Sequence, residues 1–301
     1  MAGKTTAPDI AARKGGDKIR MVTAYDAPTA TIADRAGSDI ILVGDSMGNV
    51  VLGRGDTLSV TVDDIIHHSA AVASVSPQAL IVGDMPWLSY HSSVEETVVN
   101  AGRLIREGGA EAVKVEGGRK RLRMIRPILD AEIPVMGHLG LTPQSVHAMG
   151  GYRVQGKDAA VAHEMITDAL ALADAGVFAI VLEGVPDTVA ALITRQVAVP
   201  TIGIGAGPSC DGQVLVFHDV LGLHDGHLPK FVRRYARLAD VAVDALERFY
   251  ADVACGAFPG EAETYHMSEE AARMLIELEQ AGQGYQRVLG DDLLADDAMD
   301  S

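Results

Sequence analysis

Hydrophobic residues in this 301-residue chain recur as short aliphatic runs, each followed by a polar or glycine residue and then by an amphipathic stretch. The runs are Ile19–Ala24, Ile40–Val43, Leu80–Val82, Ala112–Val115, Ile133–Met136, Phe178–Leu182, Thr201–Ile204 and Val214–Phe217. Continuous rather than alternating apolar runs predict strands covered on both faces, as in a parallel sheet. The stretches between them predict helices, several with start and stop signals. Thr61 with Asp64, and Ser93 with Glu96, fit capping boxes, while Ala101–Gly109 and Ala169–Gly176 end in glycine. Strands alternating with helices imply parallel pairing through right-handed crossovers. Eight such units closed on themselves predict an α/β fold, a (β/α)8 TIM barrel; an open doubly wound sheet is the competitor.

The eighth run is followed by more helical pattern than a minimal barrel needs, from about Leu228 to Val253 and again over Ser268–Gln280. These extra C-terminal helices are expected to pack against a neighbouring subunit or to cap the barrel. The Asp-rich tail after Gly290 is expected to be disordered. The chain thus divides into an N-terminal extension (1–18), a catalytic barrel (19–255) and a C-terminal helix with an acidic tail (256–301).

Composition narrows the function classes. The chain is 48% hydrophobic but only 4% aromatic, so Ala, Val, Ile and Leu supply a large core. Its mean hydropathy is +0.16 and its isoelectric point about 4.9. A formal net charge of −16 argues against nucleic acid or an anionic membrane as partner, since both are polyanions. Cys210 and Cys255 are the only cysteines, which leaves no disulfide framework and no thiolate metal site. Met1–Arg20 holds no apolar signal segment, and no apolar run approaches the roughly 20 residues that span a bilayer. A cytoplasmic protein is expected.

Chemistry collects just after the aliphatic runs. Tyr25 follows the first, Asp45 the second and Asp84 the third; the fourth carries Lys114 and ends at Glu116; His138 follows the fifth and Glu183 the sixth. In a β/α barrel the C-terminal strand ends ring one mouth, so residues far apart in sequence converge there. Lys114 and Glu116, two apart, point to the same side of their strand. Three carboxylates at one mouth would repel one another unless a cation joined them, and oxygen ligands with open positions suit Mg2+. Each of Asp45 and Asp84 taken alone could equally cap the helix that follows it. Lys114 could pair with the carboxylates or bind a substrate carboxylate or oxyanion. Schiff-base chemistry is disfavoured because adjacent carboxylates raise its pKa. Glu183 ends an apolar strand, a setting that raises a carboxylate's pKa and suits a general base, although a structural Glu paired with Arg or backbone donors fits as well. His138 and Tyr25 are candidates for orienting a ligand or substrate, and His67 and His68 read as ordinary helix residues. Gly203–Gly207 is a glycine-rich turn that lacks the dinucleotide-binding spacing; close ligand approach and plain tight packing explain it equally.

Several segments resemble the ketopantoate hydroxymethyltransferase (3-methyl-2-oxobutanoate hydroxymethyltransferase) family. They are Gly44–Asp45–Ser46–Met47–Gly48, Lys114–Val115–Glu116–Gly117–Gly118, and Gly137–His138–Leu139–Gly140–Leu141–Thr142–Pro143–Gln144. Further along come Gly150–Gly151–Tyr152–Arg153–Val154–Gln155–Gly156, Leu182–Glu183–Gly184–Val185–Pro186 and Ile202–Gly203–Ile204–Gly205–Ala206–Gly207. They keep the family's order and cover roughly Arg20 to Tyr250. The resemblance implies a barrel of the phosphoenolpyruvate/pyruvate superfamily, assembled as a homodecamer. It implies Asp45, Asp84 and Glu116 as Mg2+ ligands, and Asp45, Ser46, Asp84, Lys114 and His138 as substrate contacts, with Glu183 as general base. The chain departs from the family pattern at Leu58–Ser59–Val60, with Ser where Pro is usual, and in a longer acidic end after Ala257–Phe258–Pro259–Gly260.

The implied reaction transfers a hydroxymethyl group, a one-carbon unit, from 5,10-methylenetetrahydrofolate to 3-methyl-2-oxobutanoate. Mg2+ chelates the oxo acid, Glu183 removes the C3 proton, and Lys114 with the metal stabilises the enolate. The product, 2-dehydropantoate, leads to pantothenate and CoA. One rival is a Mg2+-dependent C–C lyase or mutase acting on a 2-oxo acid or phosphoenolpyruvate. Such lyases place a Cys near the mouth, and Cys210 follows the seventh strand instead. A second rival, a non-catalytic barrel, is disfavoured by the intact set of acidic and basic residues.

Overall fold

The computed structural model describes residues 3–151, 153–224 and 228–281. Tyr152 and the tail after Gly290 lie outside the described residues. Eight parallel strands follow one another around a closed barrel: β1 (Ile19–Thr23), β2 (Ile40–Val43), β3 (Leu80–Asp84), β4 (Ala112–Glu116), β5 (Val135–Gly140), β6 (Ala179–Glu183), β7 (Thr201–Ile204) and β8 (Gly212–Leu215). β8 pairs with β1 and shuts the ring, which excludes the open sheet.

The strands alternate between two apolar environments. Ile41, Val43, Ile81, Val113, Val115, Val135, Ile180 and Leu182 face outward and pack with the surrounding helices in one cluster. Ile40, Leu42, Leu80, Val82, Ala112, Met136, Val181 and Ile202 face inward and form a second cluster inside the barrel. Each Val, Leu, Ile or Met among them contributes on the order of 1.5–3 kcal/mol by leaving water. Continuing the inward series by twos leads from Leu80 and Val82 to Asp84, and from Ala112 to Lys114 and Glu116. The same step leads from Met136 to His138 and from Val181 to Glu183. The barrel interior is thus apolar at its N-terminal end and charged at its mouth, with the strand period alone deciding which residues point in.

Strand ends differ from the sequence expectation in an informative way. β3, β4 and β6 run on to Asp84, Glu116 and Glu183, because ladder hydrogen bonds are indifferent to a charged side chain that faces inward. β5 runs on to Gly140, through two glycines beyond the aliphatic run that ends at Met136. A Cβ at Gly137 would lie 3.0 Å from Leu172 on the packed helix Ala159–Ala175, and one at Gly140 would lie 2.2 Å from the Glu183 carbonyl oxygen. β8 ends at Leu215, and Phe217 opens the helix Phe217–Leu221 instead. The capping box at Thr61 is complete. At Ser93 only the backbone half forms, since the Glu96 side chain turns to Ser92.

The N-terminal extension plugs the barrel floor. Thr6 caps the short helix Ala7–Ala11, and Ile10 is fully buried in the interior cluster. Lys4 donates to the carbonyls of Pro77 and Ala79, and Lys14 pairs with Asp211 at 2.9 Å.

The chain divides into two compact units, 1–239 and 240–301, whereas the sequence reading placed the barrel's end at 255. Helix Leu238–Cys255 begins ten residues later than the pattern from Leu228 suggests. Pro229 has no N–H to give a helix, and Tyr235 N–H goes back to the Val220 carbonyl instead. Among its described residues the second unit consists of the remainder of that helix, a short turn over Glu261–Glu263 and helix Glu269–Gln280, and neither long helix buries a residue.

Candidate active site

Register brings the strand-end residues together. Asp84 is paired with Lys114 and Glu116 with His138, so their side chains stand beside one another on the inner wall. Lys114 Nζ lies 2.8 Å from Asp84 Oδ1 and 3.8 Å from Glu116 Oε1. The His138 ring bridges two carboxylates, with Nδ1 3.3 Å from Glu116 Oε1 and Nε2 3.2 Å from Glu183 Oε2. Asp45, Ser46, Asp84, Lys114, Glu116, His138 and Glu183 all line one cavity of about 100 Å³. The apolar part of its wall includes Leu42, Val181, Ile204 and Val214.

The helix-cap reading of the two aspartates fails. Ser46, not Asp45, sits at the N-cap of the one-turn helix Met47–Val50, and Asp84 closes β3 well ahead of helix Val94–Arg106. The Ser46 hydroxyl makes no cap bond; it meets Tyr25 Oη at 2.8 Å, so the buried Tyr25 orients Ser46. Among the described residues the Glu183 side chain meets neither an Arg nor a backbone donor; its neighbour is His138. His68 Nδ1 donates to the Tyr25 carbonyl, 2.6 Å away. The Gly203–Gly207 turn is a packing device. A Cβ at Gly205 would lie 2.6 Å from Phe231 and one at Gly207 2.7 Å from Asp187. Cys210 is fully buried and lies outside the cavity lining.

Charge is concentrated here with little solvent to spread it. Burial, then the neighbouring Asp84 and Glu116, raise the Asp45 carboxyl well above its usual range. Asp84 is also raised, by burial first and by Glu116, against the pull of Lys114. Glu116 is also penalised by burial, but His138, Lys114 and the Gln144 N–H outweigh that and hold it low. Burial and Lys114 press His138 downward, yet Glu116 and Glu183 at the two ends of its ring lift it to about 9. Lys114 Nζ lies 3.3 Å from the same Nδ1, so that nitrogen faces a cation as well as a carboxylate. The carboxylates on both sides pull the ring toward its protonated form, against Lys114. Lys114 itself is raised, since the carboxylates outweigh its burial, the direction that disfavours an amine nucleophile.

The donor set fits a hard divalent cation of the kind the resemblance implies. Glu116 Oε1 and Asp84 Oδ1 are buried with no hydrogen-bond donor in good geometry, although charged groups lie near both. Asp45 and Asp84 are adjacent carboxylates, the Asp45 N–H donating to Asp84 Oδ2 at 3.2 Å. Among the described residues no three His, Cys, Asp or Glu side chains are placed to hold one metal ion together. Mg2+ does not need three, because one or two carboxylates suffice when water and substrate complete the shell.

Two buried residues escaped the sequence reading. Gln144 donates through Nε2 to Asp45 Oδ2 at 3.0 Å, and Tyr90 donates to Gln144 Oε1 at 2.6 Å. Gln144 stood at the end of a quoted motif, but nothing in its spacing marked it as a partner of Asp45, 99 positions earlier.

Comparison with known proteins gives the chain a family and a fold. Residues 4–261 match the family model described as ketopantoate hydroxymethyltransferase. The chain is 56% identical over 263 residues to the 3-methyl-2-oxobutanoate hydroxymethyltransferase of Moorella thermoacetica, covering 87% of this chain and 98% of that one. It is 52% identical over 279 residues to the enzyme of the same name from Syntrophobacter fumaroxidans, covering 93% and 99%. Among solved structures, 2,3-dimethylmalate lyase, a member of the PEP mutase/isocitrate lyase superfamily, shares the fold. Its TM-score is 0.54 at 16% identity, over 94% of this chain and 98% of that one. Phosphonopyruvate hydrolase does so with a TM-score of 0.55 at 14% identity, over 93% and 96%.

Proposed function

Because the chain belongs to the ketopantoate hydroxymethyltransferase family and forms ketopantoate from 3-methyl-2-oxobutanoate, we propose that Glu183 removes the C3 proton of that acid while the buried mouth beneath it holds the developing charge. The observation that carries this reading is the His138 ring held between Glu183 and Glu116, with Lys114 and Asp84 in contact beyond it. The His138 ring, with Nε2 3.2 Å from Glu183 Oε2, attracts that oxygen and orients the carboxylate, leaving its other oxygen to take the proton. Lys114, charged and buried, faces the oxyanion that forms when the proton leaves, the kind of preorganised charge that lowers such barriers most. Ser46, set by Tyr25, offers a hydroxyl to the substrate carboxylate. Leu42, Val181, Ile204 and Val214 give the branched alkyl group an apolar wall.

Asp45 and Asp84, with Glu116 as the third acidic group, would hold Mg2+, which when bound supplies a Lewis acid to the carboxylate and keto oxygens of the oxo acid. The carbon nucleophile then bonds to the methylene carbon of 5,10-methylenetetrahydrofolate, both C–N bonds of that carbon to the folate break, and water supplies the hydroxyl oxygen as tetrahydrofolate leaves. That donor, like the reaction's place in the cytoplasm on the way to pantothenate and CoA, is part of the proposal. Two free cysteines, one buried and one exposed, are in keeping with a reducing compartment. Among the described residues no helix is long and apolar enough to cross a membrane. The assembly is a homodecamer in this reading, and the second unit supports contact between copies. Val243, Leu246, Phe249, Tyr250 and Val253 lie exposed along one 18-residue helix, more apolar surface than a lone helix in water keeps uncovered.

Solvent deuterium exchange at C3 of 3-methyl-2-oxobutanoate, followed by NMR with no folate present, tests the proposal. Exchange that needs added Mg2+ is expected. Folded, metal-supplied protein that gives no exchange would show the enolate route to be wrong.

A further inference from the structure

Asp45, Asp84 and Glu116 each accept a neutral N–H, and of the three Asp84 alone also has Lys114 within 3 Å. The Asp45 backbone N–H holds Asp84 Oδ2 at 3.2 Å, the Gln144 backbone N–H holds Glu116 Oε2 at 3.2 Å, and the Gln144 amide holds Asp45 Oδ2 at 3.0 Å. Two of the three donors belong to one residue. A neutral donor fixes the direction of a carboxylate without cancelling its charge, whereas Arg or Lys in the same place would do both.

Donor and acceptor roles around Gln144 admit one orientation. Its two amide hydrogens go to Asp45 Oδ2 and to the Met85 carbonyl, each at 3.0 Å. Turning the amide over would set its oxygen against a carboxylate and a carbonyl, all acceptors. Tyr90 locks the amide from the other side. Its hydroxyl accepts the Glu116 N–H at 3.3 Å, and its single proton goes to Gln144 Oε1 at 2.6 Å. The Glu116 carbonyl, at 3.5 Å, is a far poorer acceptor for that proton. Tyr90 is itself buried, with the Arg121 guanidinium 5.7 Å from its ring centroid. Gln144 thus reaches from the loop after β5 across to Asp45 and ties the orientations of Asp45 and Glu116 to each other.

We infer that Gln144, keyed by Tyr90, is a positioning residue that preorganises Asp45 and Glu116 to receive the divalent cation. This rests on the metal reading given above. Gln144 does not touch the ion or the substrate; it acts through the carboxylates it holds. Residues in such positions typically change metal affinity by about 10–100-fold when altered.

The test is the affinity of the full-length protein for Mn2+, measured by electron paramagnetic resonance of the free ion in the presence of 3-methyl-2-oxobutanoate. Gln144→Met keeps the volume and removes all three side-chain hydrogen bonds, and is expected to weaken Mn2+ binding by about 10–100-fold. Tyr90→Phe leaves Gln144 in place but unkeyed, and is expected to weaken it in the same direction by a smaller factor. Because the Tyr90 proton goes to Gln144 while its oxygen also accepts the Glu116 N–H, the two losses overlap, and the double variant should weaken binding by less than the product of the two single factors. A structural loss at two unrelated places would multiply instead, and that result overturns the inference. So does folded Gln144→Met with wild-type affinity. If Gln144→Met shows no cooperative thermal transition in chelator, Tyr90→Phe decides: weakened binding supports the inference and unchanged binding overturns it. Wild-type protein that binds no Mn2+ with the oxo acid present strikes the metal reading itself, an outcome distinct from variants that match a wild type that binds.

Discussion

Four buried aspartates sit at the two ends of the barrel, Asp39 and Asp211 at its N-terminal end and Asp45 and Asp84 at its mouth. Burial pushes all four carboxyls upward, yet the two ends finish on opposite sides of the ordinary value. Asp39 receives the Arg20 N–H, Nε and Nη2 at 2.8–3.0 Å and Arg13 at 2.8 Å. Asp211 receives Lys14, the Gly15 N–H and the Thr201 N–H at 2.8–3.0 Å. Both end below the usual carboxylate range despite their burial. Asp45 and Asp84 face each other and Glu116 and share one lysine, and both end above it. The floor is satisfied, holding the N-terminal plug and β1 in place. The mouth is left short of positive charge, which a folding core avoids and a cation site requires.

The contrast predicts opposite responses to the same substitution. Asp84→Asn should reduce turnover by about 10²–10³-fold and leave the thermal midpoint unchanged or higher, since it relieves repulsion. Asp39→Asn should lower stability by about 1–3 kcal/mol and leave turnover per folded molecule near wild type. Paired kinetics and thermal melts of the two variants check this, and a destabilised Asp84→Asn would break the comparison.

Acid provides a smaller effect. A carboxyl whose pKa is depressed on folding contributes stability above its unfolded value of about 3.9, and loses it as pH falls through the folded value. Asp39 and Asp211 therefore stabilise the floor at neutral pH and release it below about pH 4. In urea unfolding from pH 7 down to pH 3, the gap between wild type and Asp39→Asn should narrow only at the acid end. A gap that stays constant through pH 3 would assign the loss to packing instead of charge.

Much of this was legible in the sequence, for physical reasons that also mark where the reading stopped. Strands buried on both faces leave continuous apolar runs, so β1, β2 and β7 stand almost as the pattern placed them. Where the inner face turns charged, as at Asp84, Glu116 and Glu183, the run ends before the strand does. Gly137 and Gly140 hid the length of β5, because close approach of helix and backbone looks like a turn in one dimension. The convergence of Asp45, Asp84, Lys114, Glu116, His138 and Glu183 followed from barrel topology once the strands were counted. The placement of the His138 ring between two carboxylates did not, since it depends on register and rotamer. The Tyr90–Gln144 link did not either, because it joins two loops through side chains with no periodic signature.

The central claim is that Glu183 is the base above a charge-holding mouth, and one variant tests it most directly. Glu183→Gln keeps the shape of the side chain and removes its ability to take a proton. In C3 deuterium exchange with Mg2+ and no folate, the account predicts that exchange is lost while Mg2+-dependent binding of 3-methyl-2-oxobutanoate, measured by calorimetry, is largely kept. Exchange at the wild-type rate in Glu183→Gln, or equal loss of exchange and binding, would contradict it.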